Sequence, residues 1–408
     1  KAMESAFVEV DGKLTEVSLS KVHSIALDIE KIDKSKDLQV EEIQDIIEKK
    51  LMATNRKDVA KAYILYRAER NRIRDRNSAF RKEVNEKLSA SSVQNQNANV
   101  DEKSFGGRVG EASDTLLKKI ALEDYLSEMA RNNHINNEIY VHDLNSYVVG
   151  SHNCLSIPFD DLLANGFNTR QTDVRPANSI STAFQLVAVI FQLQSLQQFG
   201  GVSATHIDWT MIPYVRKSFY KHYVDGLKYV AKDDGYMLFN LSNPEEISIK
   251  KDSYTGNNDK KEWFNNTYNN KDAYDYAMDM TTKELQQAVE GMYHNLNTLQ
   301  SRSGNQLPFT SINYGTCTLI EGRMVTKALL EGSIKGVGKF HKTSIFPCGI
   351  FQCMKGVNRN EGDPNYDLFQ LALKSTAQRL YPNYANVDWS GNEGYDRNDP
   401  KTYFSTMG

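Results

Sequence analysis

The chain has 408 residues, 40% of them hydrophobic and 25% charged, with a formal net charge of -3 and a pI near 6.3. That length can bury a large core in two or three units, and the near-neutral charge gives no general attraction to nucleic acid, so any nucleotide has to be held by local groups. Four cysteines, at 154, 317, 348 and 353, are too few and too scattered for a disulfide framework and lack zinc-knuckle spacing, and no run of 18 apolar residues suggests a membrane span.

A reducing, cytoplasmic setting is therefore expected, with no metal held by this chain. Residues 1–76 read as a small helical unit: Val40, Ile43, Ile47 and Leu51 mark one helix face, and Val59, Tyr63 and Tyr66 mark the next. The second helix runs into Arg67, Arg70, Arg72, Arg74 and Arg76, which is either a solvated face or a polyphosphate site. Residues 77–111 are expected to be a linker, because the stretch from Ser89 to Asn99 is polar and has no apolar period. A helix capped by Ser113 then opens the larger domain, 112–408, with Leu116, Leu117, Ile120, Leu126 and Met129 facing inward.

From Tyr140 to Cys154, two histidines, an aspartate and a thiol lie close in sequence. Val141-His142-Asp143 and Tyr147-Val148-Val149 have the composition of short strands, and His142-Asp143 suits a structural hydrogen-bonded pair better than acid–base work. Cys154 is either a small buried filler or a thiol facing a cavity. The helix from about 180 to 199 is apolar nearly all round yet carries several glutamines, which suits the core or a subunit interface. A further helix from Tyr214 carries Lys217, Lys221 and His222, and residues 231–281 read as a polar surface insertion. Leu285, Val289, Met292, Leu296 and Leu299 form a helical stripe that leads into a strand after Pro308. A helix around 324–330, a strand over 343–351 and a helix opening near Asp363 follow, and this alternation predicts an α/β architecture with parallel neighbours.

Several words in the second half are long enough to be specific: Asn295-Leu296-Asn297-Thr298-Leu299-Gln300-Ser301-Arg302, Gly304-Asn305-Gln306-Leu307-Pro308-Phe309, Ser311-Ile312-Asn313-Tyr314-Gly315-Thr316, Ile345-Phe346-Pro347 and Asp363-Pro364-Asn365-Tyr366-Asp367-Leu368. Together with Val141-His142-Asp143 and Phe105-Gly106-Gly107-Arg108, they resemble the anaerobic (class III) ribonucleoside-triphosphate reductases along the whole chain. The resemblance implies the N-terminal part of a ten-stranded α/β barrel of the glycyl-radical and ribonucleotide-reductase type, preceded by a partial helical ATP cone at 1–76. Gln44 and Arg67 fall in the late helices of that cone, whose glycine-containing opening is not found in the sequence.

By the same resemblance, Cys154 is the cysteine of the first barrel strand, with His142, Asp143, Asn153 and Met407 near the substrate, and Lys221 falls in an effector specificity site. The thiyl cysteine, the glycyl radical and a four-cysteine zinc site are expected beyond Gly408, so the chain reads as a fragment inactive on its own. The implied reaction is radical reduction of ribonucleoside triphosphates to deoxyribonucleoside triphosphates for DNA synthesis. Formate is the implied reductant, ATP, dATP and deoxynucleoside triphosphates the effectors, and a radical S-adenosylmethionine enzyme the activator of a homodimer. The chemistry suits one thiol on this strand: a sulfur radical abstracts the ribose 3' hydrogen, and a second thiol, Cys154, returns reducing equivalents from a dry site. A non-catalytic nucleotide-binding regulatory protein and another glycyl-radical enzyme are the alternatives.

Overall fold

The computed structural model describes residues 1–32, 39–76, 79–89, 103–150, 154–198, 200–234, 236–239, 270–302, 305–388, 394–403 and 405. The chain divides into two compact units, Lys1–Ser91 and Ser92–Gly408. Among the described residues, no helix is long and apolar enough to cross a membrane.

The first unit is helical: α1 (Ala2–Asp11), α2 (Glu16–Glu30), α3 (Val40–Met52), α4 (Lys57–Arg76) and α5 (Ala79–Ser89). Its core gathers Phe7 of α1, Ile25 of α2, Leu51 of α3 and Val59 and Tyr63 of α4. The helix face expected to begin at Val40 starts later, because Val40 is 60% exposed in the first turn of α3 and Leu51 carries the burial. Helix α5 lies where a linker is expected, while residues 90–102, with most of the polar stretch, fall outside the described residues.

The second unit opens with α6 (Phe105–Ile120), a π-helical turn at Ala121–Tyr125, α7 (Glu128–Ile135) and α8 (Leu144–Tyr147). Helix α6 starts earlier than expected: Ser104, not Ser113, accepts the Gly107 amide. Gly106 lets the first turn of α6 press against Asn305, because a Cβ at 106 would overlap that side chain. The inward face expected here is also corrected, since Leu116 and Met129 are exposed.

Five parallel strands follow: β1 (Leu155–Ser156), β4 (Val202–Ala204), β5 (Thr310–Tyr314), β6 (Cys348–Cys353) and β7 (Asn383–Asn386), hydrogen-bonded in that order. A separate antiparallel ribbon pairs β2 (Phe167–Asn168) with β3 (Asp173–Val174). Helices fill the connections: α9 (Phe159–Asn165), α10 (Ile180–Ser195), α11 (Ile207–Thr210), α12 (Ile212–Asp225), α13 (Tyr236–Phe239), α14 (Lys271–Thr298), α15 (Ile320–Lys335) and α16 (Tyr366–Arg379). Parallel neighbours need such crossovers, so the α/β architecture read from the sequence is what forms. The insertion expected over 231–281 is shorter than read, because α14 already starts at Lys271; residues 240–269 lie outside the described residues.

The stripe on α14 is as expected for Leu285, Val289, Met292 and Leu296, each at most 1% exposed. Helix α10 is shorter than expected, and one of its faces takes the core alternative. It is capped by Ser179 and buries Ile180, Ala183, Phe184, Val187, Ala188, Ile190 and Phe191 in the core of this one chain, while Gln185 and Leu193 face outward. One face of the all-round apolar pattern is therefore core, and only the other is left for a partner.

Candidate functional site

Parallel strands give the sheet two unlike edges. Cys154 immediately precedes β1, and Arg302 lies upstream of β5, so both belong to the edge where the strands begin. The expected strand at Val141-His142-Asp143 does not form. Asp143 takes a left-handed backbone (φ 52) at the N-cap of α8, with its carboxylate 2.8 Å from His142 Nδ1. Tyr147 ends that helix, so the second expected strand does not form either. The turn is local: His134 Nδ1 accepts the Val141 amide and directs the chain into α8. His142 and Asp143 thus sit side by side in a turn rather than along a strand.

Arg302 is the hub of this edge. It is only 5% exposed, with its guanidinium 4.3 Å from the Phe309 ring centre and Nη1 donating to Gln306 Oε1 at 2.6 Å. Burial lowers its pKa to about 10, while Asp143, Asp114 and Cys154 all lie close enough for their charges to favour the cation. Asp114 comes from α6, where burial pushes its carboxyl up, and a hydrogen bond with Asn145 partly restores the anion. Between α6, α8, the end of α10 and the 302–306 segment lies a cavity of about 370 Å³, on whose wall Asp114, Asn145, Gln198 and Arg302 sit. Sequence reasoning finds Arg302 only within a family word and misses Asp114. Neither carries a local pattern, because their meeting depends on a contact between segments far apart in the chain.

Cys154 is exposed rather than buried, which corrects the dry thiol expected on a strand. The reason is topological: it stands one residue outside β1, the strand at the end of the sheet order, next to β4. Cys317 is fully buried and Cys348 nearly so, its Sγ 3.4 Å from the Tyr381 hydroxyl. Burial raises the Cys317 thiol well above its ordinary range, with Asp208 adding to the effect. Asn153 and Met407 lie outside the described residues. Among the described residues, no group of three or more His, Cys, Asp or Glu side chains is placed to hold a metal ion.

Lys221 is exposed on α12, away from the core face of that helix. The neighbouring His222 points the other way, with Nε2 2.9 Å from Glu284 of α14, whose other oxygen accepts the Ser181 amide and hydroxyl at the start of α10. Burial alone would raise the Glu284 carboxyl, but the hydrogen bonds from His222 and Ser181 outweigh it and hold the pKa at about 2.

In the first unit, Arg67 meets three carboxylates of α3: Glu41 at 3.0 Å, Asp45 at 2.6 Å and Glu48 at 3.0 Å. It therefore straps α4 to α3 in a locally negative setting, which is a poor place for a triphosphate. Gln44, also on α3, has a buried Oε1 with no hydrogen-bond partner among the described residues. The side chains of Arg72, Arg74 and Arg76 lie outside the described residues.

The edge where the strands end carries a second polar group that sequence reasoning also misses. Asp208, fully buried, accepts the Gly315 and Cys317 amides at 2.9 and 3.0 Å, and Asp160 accepts from His206 Nε2 at 2.9 Å and Thr210 Oγ1 at 2.6 Å. These bonds pin the loops after β1, β4 and β5 together.

A family model described as anaerobic ribonucleoside-triphosphate reductase matches residues 96–408, and one described as ATP cone domain matches residues 1–72. The chain is 31% identical over 355 residues to the anaerobic ribonucleoside-triphosphate reductase of Haemophilus influenzae, covering 86% of this chain and 45% of that protein. It is 30% identical over 355 residues to the protein of the same name from Escherichia coli, covering 86% and 44%. The chain thus spans less than half the length of these curated relatives. Among solved structures, the anaerobic ribonucleotide reductase from Thermotoga maritima with dATP bound in the specificity site is similar with a TM-score of 0.45 and 14% identity, over 74% of this chain and 46% of that one.

Proposed function

The chain belongs to the anaerobic ribonucleoside-triphosphate reductase family, and from that premise we propose that it forms the regulatory and first catalytic part of such an enzyme. The reaction is the radical reduction of ribonucleoside triphosphates to deoxyribonucleoside triphosphates, with formate as the overall reductant, in the cytoplasm. Residues 1–76 serve as the ATP cone for ATP and dATP, the stretch from α5 to Ser104 connects it, and the second unit from α6 onward supplies strands of the barrel. The observation that carries this reading is the family match over residues 96–408.

The reading assigns a division of labour. Cys154, at the edge where β1 begins, acts in the reduction half of the reaction, where a thiol hydrogen and an electron must reach the ribose. The glycyl radical, made by a radical S-adenosylmethionine activating enzyme, supplies the oxidising chemistry when present. His142 and Asp143 shape the turn that leads to Cys154, and Arg302 holds positive charge beside it. Asn153 and Met407 complete the substrate surroundings on this reading. The outward face of α10 is the natural place for a second copy, with Lys221 of α12 as a point-charge partner for an effector triphosphate.

The test is anaerobic turnover by a family-length polypeptide that contains this sequence, after incubation with the activating enzyme, formate and a ribonucleoside triphosphate. Deoxynucleotide formation that depends on formate is expected. Tight nucleotide binding without any turnover would instead favour the regulatory alternative.

A further inference from the structure

We propose that the solvent face of α6 is a helix-docking surface, and that its occupant is an amphipathic helix with an acidic flank, supplied by the part of a family-length polypeptide that has no counterpart in this chain. The inference rests on the reading above, in which the chain forms one part of a longer enzyme. It adds an interaction surface on a helix that the cavity beside Arg302 uses only from the other side.

Helix α6 is turned the wrong way round for a surface helix, which ordinarily brings its apolar stripe to the core and leaves its charges in water. Phe105, Val109, Ala112 and Leu116 recur at spacings of four, three and four, which keeps them within about 60° of arc over about three turns. Phe105 is 79% exposed, Val109 48% and Leu116 45%. On the opposite side Gly107 is buried, and Glu111 and Asp114 line the cavity. The polar side is therefore turned inward and the apolar side outward. A contiguous apolar stripe left in water marks an interaction site.

Three features identify what covers it. The alternation of four- and three-residue spacings is that of a seam between two helices, in which side chains of one enter the holes of the other. Arg108 and Lys119, the latter 3.9 Å from Glu123, lie at helical spacing along one flank of the stripe, and carboxylates on the partner complement them. The stripe is also too small for a free partner, since three apolar side chains and an alanine fall well short of the about 800 Å² per partner that a stable association buries. A helix of the same polypeptide needs no such area, because linkage raises its effective concentration. The relatives have the length to supply one: the match covers 45% of the Haemophilus influenzae protein, so more than half of that protein lies outside it.

The test places a thiol on the stripe, Val109→Cys, in this chain and in a family-length polypeptide that contains it, and follows iodoacetamide alkylation at position 109 by peptide mapping. In this chain labelling is expected to be fast and independent of protein concentration. In the longer polypeptide it should be about tenfold slower or more, as for a covered thiol. Adding Phe105→Glu, which puts a charge into the seam at a position open to water in this chain, should return the longer polypeptide to the rate of this chain. Equal labelling of the two polypeptides overturns the proposal; if the longer one still forms deoxynucleotides, the reductase reading stands without it, and if it forms none, both fall. Labelling of this chain that slows as its concentration rises assigns the face to a second copy instead. Slow labelling of the longer polypeptide that Phe105→Glu leaves unchanged shows cover by something other than a packed helix seam, and either result overturns the proposal.

Discussion

Cys154 and Arg302 show what single residues disclose. The thiol is visible in the sequence because it follows a run with two histidines and an aspartate, but its exposure is not, since that depends on which strand lies at the sheet edge. Arg302 is the harder case: an arginine in a polar word looks like a surface residue until the fold buries it on Phe309. Exposure has a direct chemical consequence. Iodoacetamide at about pH 8 should alkylate Cys154 at least about tenfold faster than Cys317, whose burial and raised thiol pKa keep it as an unreactive neutral thiol. Peptide mapping over a time course measures this, and equal labelling of the two would contradict the placement of Cys154 outside β1.

At the scale of elements, periodic helices are the most legible and short irregular pieces the least. The α14 stripe can be read directly, because four of its apolar residues recur at helical spacing and all face the core. Residues 141–149 read falsely as strands: β-branched and aromatic content suggests extension, but the His134 bond and the left-handed Asp143 lead the chain into the short helix α8. Tertiary hydrogen bonds likewise decide the junction of α10, α12 and α14, where Glu284 joins His222, Ser181 and Ser218. Its folded pKa of about 2 lies below the roughly 4.3 of an ordinary glutamate, so its contribution is full above that ordinary value and is lost as the pH falls from there towards 2. Glu284→Gln should therefore cost about 1–3 kcal/mol at neutral pH, the range for hydrogen bonds to a charged group, and clearly less once the pH approaches the folded pKa. Urea unfolding under the two conditions checks it, and an equal loss in both would show that the carboxylate charge is not what matters.

For the molecule as a whole, the alternation of strands and helices makes the parallel sheet legible, while its two edges are not. Strand positions can be marked along the chain, but which ends carry Cys154, Arg302 and the cavity, and which carry Asp208 and Asp160, follows only from the pairing order. The α10 pattern is ambiguous for a related reason, since core and interface select the same residue types. Its outward face, with Gln185 and Leu193, and the exposed Lys221 give a specific expectation. Light scattering should report a dimer, and Lys221→Ala should weaken deoxynucleoside-triphosphate binding by about 1–3 kcal/mol. A monomer at all concentrations, with unchanged effector binding in the variant, would remove both from the account.

The central claim is that Cys154 serves the reduction half of a radical reaction. The most direct test is Cys154→Ala in a family-length enzyme that contains this sequence, with electron paramagnetic resonance of the activated protein recorded beside a deoxynucleotide assay. A glycyl-radical signal of parental size and no detectable product are expected, because activation is untouched and the chemistry at the ribose is removed. Product formation near the parental rate would contradict it and return Cys154 to the role of an ordinary exposed thiol.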